Sequence, residues 1–207
     1  MKKSGNLLSQ FFFPLAVLLA VFYILFAIFV CLKSYSAAAN LECLQNSHEI
    51  MRIKIYGSSY STEGNTVSAS LSIIDSNGNE ISVIERSWSG SYLGAEFARV
   101  SLYGKNFVFP VSIFGKNNIY GSYSGWKKGT MLERYYNDYR QCMLLGHGSS
   151  YKDRRQLYWL SAFAVKKYPL PQFSMVDYIS LDLSGCKSEC FYSIICEEDG
   201  NISVIEL

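Results

Sequence analysis

No charged side chain occurs between Ser4 and Leu32, and from Leu7 the chain reads LLSQFFFPLAVLLAVFYILFAIFVCL. At 1.5 Å per residue, about 20 apolar residues cross a hydrocarbon core of about 30 Å, so Leu7–Leu32 is long enough to span a bilayer as a helix. Lys2 and Lys3 flank the run on one side and Lys33 on the other. Pro14 is tolerated near the start of such a helix, where freed backbone groups find local partners. The lipid bilayer is thus the first partner that the residues imply, through residues 7–32.

The expected organisation follows from that span. Residues 1–6 form a cytoplasmic N-terminus, 7–32 a signal anchor, 33–47 a tether and 48–207 an extracytoplasmic domain, because Lys2, Lys3 and the α-amino group stay inside. An alternative is a secreted β-rich protein released by cleavage at Ala37-Ala38-Ala39, with Asn40 as its new N-terminus. The length of the run opposes cleavage, since signal peptides carry about 7–15 apolar residues. A lipobox at Ile28-Phe29-Val30-Cys31 fails on the bulky Val30 before the cysteine. Lys2-Lys3-Ser4-Gly5 before Asn6, followed by an apolar helix, resembles the leader of type IV pilin-like proteins over the first thirty residues. That resemblance implies cleavage before Asn6. Gln10 stands where that family carries an acidic residue, and strand patterns begin too early for its long helix.

With 207 residues, the part beyond the span has ordinary single-domain size. A net charge of +2 gives no reason to expect nucleic acid. The charge is unevenly spread. Residues 115–170 carry ten Lys/Arg against three Asp/Glu, while 171–207 carry one Lys against seven Asp/Glu. Either these are solvated faces of two elements that attract each other, or the first is a basic patch for anionic lipid or polyanionic envelope material. With His48 and His147 the only histidines and no CxxC pair, neither a metal nor another cofactor is expected.

Glu49–Tyr56 alternates Ile/Met with charge and reads as a first strand. Val67, Ala69, Leu71 and Ile73 alternate with Ser68, Ser70 and Ser72, a half-buried strand with a serine face. Asn77-Gly78 then marks a hairpin turn, and Ile81–Trp88 returns as the partner. Tyr92–Tyr103 and Asn106–Phe114 form a second hairpin about Gly104-Lys105, with Phe107, Phe109, Val111 and Ile113 on one face. Pro110 cannot donate to a ladder, which places it at an edge or a bulge. The period then changes. Thr130–Glu133 fits a capping box for a helix carrying Leu132, Tyr135, Tyr136, Tyr139, Cys142 and Met143 and closed by Gly146. A second helix runs from Tyr151 to Lys167 with Ser150 as N-cap and Leu157, Leu160, Ser161 and Ala164 as its stripe. Strands return at Val176–Leu183, Cys190–Glu197 and Ile202–Leu207. The predicted fold is α+β: an N-terminal transmembrane helix, then a mainly antiparallel β domain with an inserted helical hairpin.

Few residues are candidates for chemistry. Glu85 and Glu96, on separate predicted strands, would serve a glycosidase if they met across a sheet. His147 lies in a loop between two predicted helices, where an acid/base suits. Tyr123 occupies the nucleophile position of Gly121–Gly125, so no serine elbow is present. Trp88, Tyr92, Tyr123 and Trp126 lie in or beside turns and are candidates for a binding surface facing a sugar or a protein. Cys186 and Cys190 bracket a three-residue loop and form a candidate disulfide in an oxidising compartment, because paired positions across a hairpin lie roughly 4.5–5.5 Å apart. The expected function is a non-enzymatic binding or structural module of a bacterial-type envelope, contacting envelope material or another envelope protein. The alternative is an envelope glycan or peptide hydrolase.

Overall fold

The apolar run folds as one helix, α1 (Gly5–Asn40), long and apolar enough to cross a membrane. The computed structural model of the chain describes residues 5–41, 47–61, 64–117, 129–166, 172 and 175–207, with backbone alone for 5–11 and 61. Residues 33–40, expected to belong to the tether, are helical. The cause is packing: Val30, Ser34, Ala37, Ala38 and Leu41 recur at helical spacing and are all buried against the domain. The Ser34 hydroxyl donates back to the Val30 carbonyl at 2.9 Å, so the stripe buries no orphan hydroxyl. At the far end the Lys105 ammonium donates to the carbonyls of Leu41 and Ala39, at 2.9 and 3.3 Å. That cation caps the helix and opposes the negative end of its dipole.

Two antiparallel sheets follow. The first contains β1 (His48–Ser61), β2 (Gly64–Ile74), β3 (Glu80–Ser89), β10 (Phe191–Cys196) and β11 (Ile202–Glu206), in the order β11-β10-β1-β2-β3. The second contains β4 (Tyr92–Leu102), β5 (Lys105–Lys116), β6 (Thr130–Met131) and β9 (Val176–Asp182), in the order β6-β5-β4-β9. Between β6 and β9 lie a single helical turn α2 (Glu133–Tyr136), a two-stranded hairpin of β7 (Asn137–Asp138) and β8 (Gln141–Cys142), a 3-10 turn (Met143–Leu145) and α3 (Tyr151–Ala164).

The predicted hairpins form. The β2 serines face outward, and Ser68 and Ser87 hydroxyls share a cross-strand bond of 2.7 Å. Asp75 is buried and accepts from the backbone N–H of Asn77 and Asn79, which closes the Asn-Gly turn. On β5 the expected face of Phe107, Phe109, Val111 and Ile113 is fully buried, but so are the residues between them. The two sheets share one core, to which Met51, Ile53 and Leu71 of the first and Phe97 of the second belong, and β3 meets β5 across it. The second sheet also meets α3 and the end of α1. Pro110 sits at a bulge, where Glu96 pairs Ser112 and Phe97 pairs Pro110, leaving Val111 out of that ladder. Where the chain crosses between sheets, Gly90 (φ 141°) packs so close to Gly115 and Lys116 that a Cβ would meet backbone.

The helical insertion differs from expectation in its first arm. Thr130 lies in β6, and its Oγ1 accepts hydrogen bonds from Trp88 Nε1 at 3.0 Å and an Arg86 guanidinium nitrogen at 3.2 Å. It caps nothing. The helix stops after Tyr136, whose buried hydroxyl donates to the Pro110 carbonyl at 2.9 Å. Tyr139 and Arg140, both at positive φ, then form the β7–β8 turn. Burial of Tyr136 against the bulge overrides the helical period that continues through Tyr139. The second arm forms with its expected cap but ends at Ala164, short of Lys167: the Ser150 hydroxyl accepts from the Asp153 N–H and donates to its carboxylate. Leu157, Leu160, Ser161 and Ala164 are buried as expected.

Candidate functional site

Contacts that advance along α1 retreat along α3. Val30 packs with Phe163, the Ser34 hydroxyl reaches the Trp159 carbonyl, and Ser36 shares a groove with Tyr151 and Lys152. The two helices therefore run antiparallel. Beside their seam, Phe29, Lys33 and Ser36 of α1 face Lys152, Arg155, Gln156 and Trp159 of α3 across a groove of about 470 Å³. The α1 residues are spaced i, i+4, i+7 and those of α3 i, i+3, i+4, i+7, so each helix lines the groove with one stripe.

The groove has an aromatic floor and a cationic rim. Phe29 and Trp159 meet edge to face with centroids 5.6 Å apart. The Lys33 ammonium lies 5.6 Å from the Phe29 centroid, folded back toward the apolar part of α1. Among the described residues, no carboxylate pairs with Lys33, Lys152 or Arg155. Gln156 Oε1 is buried in the same groove wall without a donor. Arg154, by contrast, is spent on structure: it donates to Gln141 and to the carbonyls of His147 and Ser149. Three cations without a carboxylate partner, lining a groove that also holds two aromatic rings, suit an anionic group with an apolar neighbour.

The residues singled out from the sequence are scattered. Glu85 is exposed on β3 and accepts from the Tyr56 hydroxyl at 3.0 Å. Glu96 lies on β4, opposite Ser112 and Ser180. The two glutamates are on different sheets and form no cross-strand pair, because the chain changes sheet between β3 and β4. Burial pushes the Glu96 carboxyl above its ordinary value, against the opposing pull of the Ser112 hydroxyl and the Lys166 charge. Its Oε2 is buried without a partner. His147 is exposed in the turn before α3.

Trp88 is 3% exposed and its indole N–H is bonded to Thr130, so it belongs to the core and not to a binding surface. Tyr92 is half-buried at a small cleft of about 100 Å³ that it shares with Tyr60, Leu183 and Cys186. Tyr123 and Trp126 lie outside the described residues. Cys186 and Cys190 are free thiols. The strands on either side of them, β9 and β10, belong to different sheets, so they do not form the hairpin that the disulfide expectation assumed. Burial, with Asp182 and Glu206 nearby, raises the Cys186 thiol to about 11.

None of the groove residues was selected from the sequence. The usable signal was the cation surplus of residues 115–170, which contains Lys152 and Arg155, together with Lys33 at the end of the span. Among the described residues, no group of three or more His, Cys, Asp or Glu converges to hold a metal. Comparison with known protein families, with curated proteins and with solved structures finds no match to this chain.

Proposed function

We propose that the chain is a single-pass, membrane-anchored binding or structural module of a bacterial-type envelope. Its α+β domain is held outside the cytoplasm and against the bilayer surface, in contact with envelope material or another envelope protein. One observation carries this reading. The same helix leaves its apolar side chains uncovered from Phe12 to Leu25 and buries Ala37 and Ala38, with Leu41 just past its end, in the domain core. An uncovered apolar helix of this size is unfavourable in water and favourable in lipid. The buried end argues for retention as well, since a cut at Ala37-Ala38-Ala39 would remove two fully buried residues from the core. A hydrolase is the weaker reading, because Glu85 and Glu96 lie on different sheets and His147 in an exposed turn.

Topology is the test. Cys142 is buried and its thiol is raised to about 12, chiefly by that burial, so it reports poorly. Tyr139 is 87% exposed and serves instead. In an otherwise cysteine-free chain carrying Tyr139→Cys, a membrane-impermeant maleimide is expected to label intact cells once any outer layer is permeable. Labelling only after the inner membrane is opened would overturn the assignment.

A further inference from the structure

We infer that the groove between α1 and α3 is a binding site for the phosphate-bearing headgroup of an anionic phospholipid, taken from the leaflet at which α1 emerges. The inference rests on the reading of α1 as a membrane span and names the ligand that this surface takes.

Leu7–Leu32 is about six residues longer than the roughly 20 needed to cross the hydrocarbon. The domain begins to cover α1 at Phe26, where that surplus begins. Phe29 is three residues further on, about 4.5 Å along the axis, and Lys33 about 10 Å. Headgroup layers add about 5–7 Å on each side of the hydrocarbon. Because the Lys33 side chain folds back over the Phe29 ring, its charge sits within that layer. The membrane-side end of the groove, at Phe29 and Trp159, thus opens at the level of lipid phosphates, and Ser36 and Lys152 line its far end. Tryptophan at such a boundary is the usual interfacial anchor.

Charge and shape select the occupant. Lys33, Lys152 and Arg155 converge on one space with no carboxylate paired to them among the described residues. A phosphate diester between apolar chains and a polar tip matches a cationic rim over aromatic rings. A basic pocket beside a membrane helix is a recurrent arrangement for anionic headgroups. A soluble phosphate group shares the charge chemistry but has no use for the Phe29–Trp159 floor.

The test uses the full chain in nanodiscs of mixed phosphatidylcholine and phosphatidylglycerol, with lipid retention read by native mass spectrometry. The wild-type chain is expected to retain phosphatidylglycerol over phosphatidylcholine. Lys152→Gln with Arg155→Gln, both at exposed positions where folding is indifferent, is expected to weaken that preference about fivefold per cation, equivalent to about 1 kcal/mol each. Equal retention of the two lipids by wild type, or an unchanged preference in the double variant, overturns the proposal. Displacement of the retained lipid by inorganic phosphate alone overturns the lipid source and leaves a free-phosphate site. Flotation of the chain with lipid vesicles is scored separately. A chain that floats without lipid preference refutes this inference only, whereas a chain that does not float refutes the anchor.

Discussion

Leu41→Ala separates a helix docked in the domain from a helix tethered to it. Leu41 is 1% exposed and closes the stripe that begins at Val30. Truncation removes three buried carbons, about 2.4 kcal/mol of transfer free energy at about 0.8 per methylene. The unfilled cavity adds to that, for a total of about 3 kcal/mol within the usual range of about 2–5 for buried leucines. In a chain of this size each kcal/mol moves the midpoint by about 2–4 °C, so the drop is about 6–12 °C. The assay is thermal unfolding of the full chain in detergent micelles, followed by tryptophan fluorescence, because buried Trp88 reports the core. Leu18→Ala is the control: Leu18 is 65% exposed on the uncovered part of α1. It is expected to change stability by less than about 0.5 kcal/mol. If Leu41→Ala behaves like Leu18→Ala, the end of α1 does not belong to the core. The groove then loses its fixed depth against the bilayer as well.

Two further outcomes follow from buried polar groups. Thr130→Val removes the acceptor of the Trp88 indole N–H and leaves that donor buried, which is expected to cost about 1–3 kcal/mol. Pairing it with Trp88→Phe in a double-mutant cycle is expected to recover part of the loss, and strict additivity would deny the bond any coupling. For Glu96 the sign is set by its raised carboxyl. Below the ordinary carboxylate value, folded and unfolded states are both protonated and the residue contributes nothing to pH dependence. As pH climbs toward the raised folded value the unfolded state releases its proton first, so stability falls and then levels off. Glu96→Gln abolishes that decline, and the difference in midpoint between variant and wild type is expected to grow with pH. A difference that is flat or shrinks with pH contradicts the assignment.

Local rules reach some elements and stop short of others. The serine-alternating strand, the Asn-Gly hairpin and the Ser150 cap were legible because each is decided by residues within a few positions of one another. Thr130 shows the opposite case. Its sequence context is a capping box, yet its hydroxyl is claimed by Trp88, forty-two positions earlier, and the strand bond wins. Tyr136 ends its helix for a similar reason, because its hydroxyl has a buried acceptor at Pro110. The hairpin assumed for Cys186 and Cys190 does not form, because alternation identifies β9 and β10 as strands but not which sheet each joins.

By itself the sequence determined that a helix long enough for a bilayer precedes a mixed α+β domain, since apolar length and side-chain period are properties of consecutive residues. Only the tertiary structure decided that this helix continues into the domain core. It also decided that Glu85 and Glu96 belong to separate sheets and that Lys33 shares a groove with Lys152 and Arg155. Those relations join residues far apart in the chain, and they depend on which apolar faces pack together, which no local pattern encodes.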